Sequence, residues 1–218
     1  MIAIAMDGPS GVGKSSIADE IAKIFGFVHL NTGELYRATA FYIVTNNVPE
    51  NLIEESLQHI KIGLNFINNK QQTILNGRNI TNFLHNEKIA KLASSISELK
   101  KVRDFLLDLQ RDFAQKNDVV MDGRDIGTVV LPNANVKIFL TASIESRAKR
   151  RFLELKEKGS SITYEETLDL LTRRDYLDTN RKIAPLKKAA DAITLNTDNL
   201  DFKKTVEKVK NIVSTYAF

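Results

Sequence analysis

The sequence predicts an α/β protein, a five-stranded parallel sheet flanked by helices. Three observations carry this. A short apolar run, Ile2 to Met6, ends abruptly at Asp7-Gly8-Pro9, the pattern of a fully buried strand meeting a loop. Directly after the loop, Ile17, Ile21, Ile24 and Phe25 recur at helical spacing, with Ala18 and Ala22 filling the same face. Strand-like and helix-like stretches then alternate, as parallel β–α units require.

The elements follow in order. Gly26 can end the first helix in a left-handed conformation, and Phe27 to Leu30 reads as the second strand. Thr32 can cap a helix over about 33–43. From about 46 to 86 the pattern changes to a weak helix and then a hairpin, 62–67 against 72–75 around Asn68-Asn69-Lys70, which reads as an inserted lobe. Helices follow at about 86–97 and 99–116, the second amphipathic through Val102, Phe105, Leu106, Leu109 and Phe113. The remaining strands are Val119 to Met121, Val136 to Leu140 and Ala192 to Leu195, with helices at about 143–157, 164–177 and 200–216.

Composition narrows the function classes. The 218 residues are 43% hydrophobic and 27% charged, which excludes wholesale disorder. A net charge of +4 allows a phosphate-rich ligand without forming the basic stripe of a nucleic-acid binder. With no Cys, disulfides, thiolate zinc sites and a Cys nucleophile are excluded. No run is long enough for a signal segment or a membrane span, so a soluble, cytoplasmic protein is expected.

Gly8-Pro9-Ser10-Gly11-Val12-Gly13-Lys14-Ser15 satisfies G-x-x-x-x-G-K-[ST] in full, with Ser16 following. The glycines let backbone N–H groups turn inward onto phosphate oxygens, and the helix N-terminus adds its positive end. Lys14 would reach the β- and γ-phosphates and the Ser15 hydroxyl would ligate Mg²⁺. A chance match is disfavoured because the motif follows a buried-strand run and opens an amphipathic helix. The expectation is a P-loop NTPase fold binding a nucleoside triphosphate.

A GTPase would carry N-K-x-D, but Asn69-Lys70 is followed by Gln71-Gln72. The apolar run Val119-Val120-Met121 ends in Asp122, placed to act near Mg²⁺, directly or through water. Arginine is the minority cation, 11 of 31, yet it recurs at loop–helix junctions, where a planar fork suits phosphate or base recognition. Arg124, in Asp122-Gly123-Arg124-Asp125 directly after a strand, reads as functional, whereas Arg111 and Arg173 read as solvated helix faces. His29, His59 and His85 have no metal-ligand spacing and read as structural or surface residues.

Together with the phosphate loop, Asn31-Thr-Gly-Glu-Leu-Tyr-Arg37, Asp122-Gly-Arg-Asp-Ile-Gly-Thr-Val-Val130, Arg147-Ala-Lys-Arg-Arg151 and Arg174-Asp-Tyr-Leu-Asp-Thr-Asn-Arg181, followed by Ala184-Pro185-Leu186, resemble the bacterial-type cytidylate kinases across essentially the whole chain. The resemblance implies a single P-loop kinase domain over residues 1–218, with an acceptor-binding lobe at about 46–86 and a lid at about 156–165. It implies ATP-dependent phosphorylation of CMP and dCMP by a monomer using Mg²⁺, with no nucleic-acid or membrane partner. Lys14, Arg124, Arg174 and Arg181 would carry catalysis, and Arg147 and Arg151 would lie near ATP. Thr32, Arg37, Ser94, Arg103, Asp125 and Asp178 would join Arg124, Arg174 and Arg181 around the acceptor. Two departures stand out: the loop ends Lys-Ser-Ser where many relatives have Lys-Gly-Thr, and Asn31 stands where Asp is common.

The chemistry agrees. A nucleoside monophosphate has a second phosphate pKa of about 6, so the dianion is already a nucleophile near neutral pH and needs no catalytic base. Asp125 then reads as a base-reader, since a carboxylate accepts from the cytosine N4 amino group and repels the oxygen that uracil carries there. The alternatives for Asp125 are a helix N-cap or a partner for Arg124. Rival readings are a P-loop kinase for UMP, AMP, shikimate or a coenzyme precursor, and a non-catalytic ATP switch.

Overall fold

A computed structural model describes residues 1–67 and 70–217. The five expected strands form one parallel sheet: β1 (Ala3–Asp7), β2 (Val28–Asn31), β6 (Val119–Gly123), β7 (Val136–Thr141) and β8 (Ile193–Asn196). Their spatial order is β2-β6-β1-β7-β8, with β1 at the centre. Alternate side chains of each strand serve opposite faces. Ile4, Met6 and Val120 pack with Ile17 and Ile21 of α1 (Lys14–Phe25) and Val206, Val209 and Val213 of α8 (Phe202–Tyr216). On the other face Ala5, Val119 and Met121 pack with Leu30 and Ala114.

Gly26 closes α1 at φ 71°, as expected. Thr32 is not a cap, however. It is the first residue of α2 (Thr32–Thr45), and its hydroxyl donates to Asp122 O at 2.8 Å. After α2 the expected weak helix is a broken series: 3₁₀ turns at Glu50–Leu52 and Leu57–His59 flank the single turn α3 (Ile53–Ser56). The hairpin is β3 (Ile62–Ile67) against β4 (Lys70–Leu75), and β5 (Arg78–Asn79) adds a third antiparallel strand. Its expected tip at Asn68-Asn69 lies outside the described residues; Lys70 already belongs to β4. Apolar side chains of this stretch, including Ile53, Ile60, Leu75 and Leu84, share a core with α2, α4 (Glu87–Ile96) and α5 (Lys100–Lys116).

α6 (Ile144–Glu157) and α7 (Tyr164–Asn180) pack on each other, and Thr163 with Glu166 forms a capping box that starts α7 sharply. Between β6 and β7, residues Ile126–Val130 form one π-helical turn. Arg111, read from the sequence as a solvated residue, instead donates to the carbonyls of Val130 at 3.0 Å and Val129 at 2.8 Å and ties that turn to α5. The sequence also missed what anchors the turn's other end. Asp7, at the end of β1, accepts from the backbone N–H groups of Ile126 at 2.8 Å and Gly127 at 2.7 Å.

Candidate active site

The phosphate loop and the segments Asn31–Arg37, Asp122–Val130 and Arg147–Arg151 each follow the carboxyl end of a sheet strand, where open α/β sheets bind ligands, whereas Arg103 lies on α5 and Arg174–Arg181 ends α7. The phosphate loop follows β1. Gly8 takes φ 149°, and a Cβ there would lie 2.2 Å from Leu140 O, so the turn admits only glycine. Gly13 caps α1 in the left-handed region at φ 92°. Lys14 opens the helix, and its Nζ folds back to donate to Gly8 O and Pro9 O, both at 2.7 Å. Val12 is buried in the core under the loop, and Ser16 is exposed on α1.

Asp175 of α7 accepts from Ser10 N at 3.1 Å, while Arg147 of α6 donates to Ser10 O at 3.0 Å and Ala142 O at 3.1 Å and pairs with Asp175. Arg147, expected beside ATP, is thus a brace for the loop in this structure. Asp175 is its missed partner, although it lies within the Arg174–Arg181 motif. Arg151 lies one turn further along α6, half exposed and paired with Glu154 at 2.7 Å.

Ser15 and Asp122 meet as expected, with the Ser15 hydroxyl donating to Asp122 Oδ2 at 2.8 Å. Asn31 Nδ2 donates to Ser15 Oγ at 3.3 Å, because β2 runs beside β6 with Asn31 opposite Asp122. His29, read from the sequence as a structural or surface residue, is buried with Nε2 2.8 Å from Asp122 Oδ1. Burial works against the Asp122 charge, but His29 and Lys14 outweigh it and hold the carboxyl below its usual range. Among the described residues no cluster of three or more His, Asp or Glu could cage a metal. A hydroxyl and one carboxylate beside a phosphate loop fit Mg²⁺, which takes few protein oxygens and completes its shell with phosphates and water.

The residues expected to read the base come together around Asp125. Its carboxylate pairs with Arg103 of α5 and accepts from Arg181 Nη2 at 3.1 Å, all three side chains being buried. Of the alternatives for Asp125, the N-cap holds by position alone, and Arg124 is near without being its bonded partner. The carboxylate does not cap the π turn, and the partner of Arg124 is Asp178, at 2.7 Å. Ser97 is the serine that touches this group, its carbonyl accepting from Arg103 at 3.2 Å and its hydroxyl lying 3.4 Å from Arg181 Nη1. Ser94, the serine carried over from the resemblance, is half-buried one turn earlier and accepts the Ser97 hydroxyl on its carbonyl at 2.7 Å. Tyr36 lies beneath the Arg103 guanidinium, 5.8 Å from it to the ring centroid. Ala184 takes a left-handed φ of 48°, and its carbonyl receives Arg181 Nε at 2.7 Å, which fixes the guanidinium plane.

Beside the phosphate loop, cations from several elements come close together. Burial pulls Lys14 well below its usual range, and the nearby Arg124 lowers it further. Burial and the same Arg124 push Arg174 down to about 10, and the buried Arg174 Nε has no hydrogen-bond partner among the described residues. Arg37 is lowered by burial and by the charges of Arg151 and Arg124. Asp178 is held low because Arg124 and Arg174 outweigh the effect of burial, and Glu34, Asp122 and Asp175 also face these cations. A site in which buried cations from several elements press on one another is suited to polyanions.

Comparison with known proteins agrees with this geometry. The cytidylate kinase family matches residues 4–215. A cytidylate kinase of Caldicellulosiruptor saccharolyticus is 43% identical over 211 residues, covering 95% of this chain and 93% of that protein. One from Carboxydothermus hydrogenoformans is 44% identical over 213 residues, covering 96% of each. Among solved structures, a gluconokinase from Sinorhizobium meliloti shares the fold at a TM-score of 0.50 with 14% identity, covering 99% of this chain and 93% of that one. With a phosphate loop, clustered cations beside it and a buried carboxylate set between two arginines, this chain belongs to the cytidylate kinase family.

Proposed function

We propose that this protein transfers the γ-phosphoryl group of ATP to CMP and dCMP, giving CDP or dCDP and ADP. One observation carries the reading: cations from four separate elements, Lys14, Arg37, Arg124 and Arg174, stand close enough to act on one another, and Arg124 lowers the other three. Two phosphate chains brought end to end give these cations a common partner.

The chain's own residues then divide the work. The phosphate-loop N–H groups and Lys14 hold the β- and γ-phosphates of ATP, with Arg151 at the outer edge. Ser15 and Asp122 would hold Mg²⁺, which neutralises phosphate charge when bound. Arg37 orients the acceptor phosphate, and Arg124 and Arg174 meet the charge on the transferring group. Arg103 and Arg181, aligned by Asp125, donate to cytosine N3 and O2 while Asp125 accepts from N4. The acceptor dianion attacks in line without a base, so catalysis here is positioning and charge stabilisation. Residues at about 46–86 serve as the acceptor lobe and those at about 156–165 as a lid that keeps water from the γ-phosphate. Both nucleotide sites are built from one chain, so a monomer suffices. No helix among the described residues is long and apolar enough to cross a membrane, and we place the reaction in the cytoplasm.

The test is a coupled ADP-release assay with Mg-ATP against CMP, dCMP, UMP, AMP and shikimate. Fast turnover on CMP and dCMP with UMP far behind is expected. Turnover on another acceptor alone would refute the base assignment, and silence on all five would refute the kinase reading.

A further inference from the structure

His85 lies outside every motif that the sequence singled out, yet the fold sets it against the head of Arg37. It follows the 3₁₀ turn Thr81–Phe83 and precedes Asn86, the N-cap of α4, so its backbone is fixed by a helix start. Its Nδ1 lies 3.3 Å from Arg37 Nη1, and its Nε2 lies 3.6 Å from Glu34 Oε1. Arg37 and Glu34 are three residues apart on α2, so one helix face presents a cation and an anion to the two nitrogens of one ring. Glu34 is itself buried and held from the lobe, its Oε2 accepting from Thr73 Oγ1 at 3.0 Å and Gln71 Nε2 at 3.2 Å. Gln71 in turn accepts from Asn31 N at 2.8 Å. None of these side chains has a part in the phosphoryl transfer described above, apart from Arg37.

An arginine cannot accept a hydrogen bond, so the contact with Arg37 requires a lone pair on Nδ1 and places the ring hydrogen on Nε2, facing Glu34. The free protein therefore holds His85 neutral. We propose that His85 is a second ligand of the acceptor phosphate, and that it takes up a proton from solvent as the phosphate dianion enters between it and Arg37. The proposal rests on the reading of Arg37 as the acceptor-phosphate arginine. In the bound state the phosphate accepts from both Arg37 and Nδ1–H, and Nε2–H of the imidazolium remains directed at Glu34. The charged groups around the ring favour such a switch. Burial, then Arg37 of α2, then Lys158 and Arg151 from the α6 side lower its proton affinity, and Glu34 is the anion that faces it. A bound dianion reverses the sign of that field. Over half of the His85 side chain is exposed, so the proton has a path from water.

Calorimetric titration of the protein with CMP at pH 7.5, in two buffers of different ionisation heat, tests this directly. At that pH CMP is already a dianion and contributes almost no proton of its own. Wild type should take up a substantial fraction of a proton per CMP bound, and cytidine, which has no phosphate, should bring none. H85N should abolish the uptake and weaken CMP roughly tenfold or more at pH 6.5, with less effect at pH 8.5. H85R should retain tight binding but lose both the uptake and the pH dependence. Wild-type affinity and proton uptake in H85N, with CMP binding lost in R37A, would overturn the role of His85 and leave that of Arg37 standing. CMP binding unchanged in R37A, or absent in wild type, would overturn the Arg37 reading and this proposal with it.

Discussion

Replacing Asp125 by Asn tests the base-reading group on two independent scales. In the structure Asp125, Arg103 and Arg181 are 5%, 7% and 8% exposed, so the carboxylate is the buried counter-charge of two guanidiniums. Removing one partner of a buried ion pair costs about 3–5 kcal/mol, because the remaining charge stays desolvated. Asn keeps the volume and one acceptor, so the lower end, about 3 kcal/mol, is expected. For a chain of this size that corresponds to a drop in Tm of roughly 6–12 °C. Specificity should change as well. The amide can turn its NH₂ toward the uracil oxygen, and losing the carboxylate's discrimination is worth about 1–3 kcal/mol, or roughly 5- to 150-fold in the CMP to UMP ratio of kcat/KM. Thermal melts and the coupled assay with both nucleotides measure the two effects on the same preparation. A lowered Tm with an unchanged CMP to UMP ratio would refute the base-reading role and leave Asp125 as a structural counter-ion. An unchanged Tm would refute the argument from the buried ion group itself.

Three further outcomes follow from the same structure. K14M should lower kcat roughly 10²- to 10³-fold and lose the stabilisation that ATP confers, while the nucleotide-free protein stays at least as stable as wild type, because burial already disfavours the lysine charge; kinetics and melts with and without ATP decide it. G8A forces a side chain into a φ of 149° and against Leu140 O, and should cost about 2–6 kcal/mol in urea unfolding. Asp7 is pushed up to about 6 by burial, which outweighs its bonds to Gly127 and Ile126, against 3.8 for the ordinary group. The native state therefore holds a proton that the unfolded state has released between pH 4 and 6, and stability falls as pH rises through that window, by about 3 kcal/mol in all. D7N lacks this loss, so its stability relative to wild type should improve from pH 4 to 6.5; a constant difference in urea unfolding at the two pH values would contradict the assignment.

The local chemistry of this protein was legible in its sequence. A buried strand, a glycine-rich turn and an amphipathic helix in succession require a phosphate loop because only glycine tolerates those backbone angles, and Gly8 and Gly13 adopt them. Apolar periodicity placed the sheet strands and the long helices to within a few residues, since burial on one face imposes that spacing. The region from 46 to 61 was read less well: its short turns are set by packing on α2 and α4, not by their own pattern. Within the site, the sequence identified the cations but not their partners. Asp125 meets Arg103 and Arg181 across separations of 22 and 56 residues, and Arg124 pairs with Asp178 and not with its neighbour. Arg147 holds the phosphate loop both directly at Ser10 and through Asp175, Arg111 holds carbonyls of the π turn, and His29 reaches Asp122 only because β2 lies beside β6. Residue types and local spacing fix which groups can bind phosphate, because backbone geometry and charge are properties of a short segment. Which charge neutralises which is decided by tertiary packing, because a buried ion must find its partner wherever the fold brings one within hydrogen-bond reach.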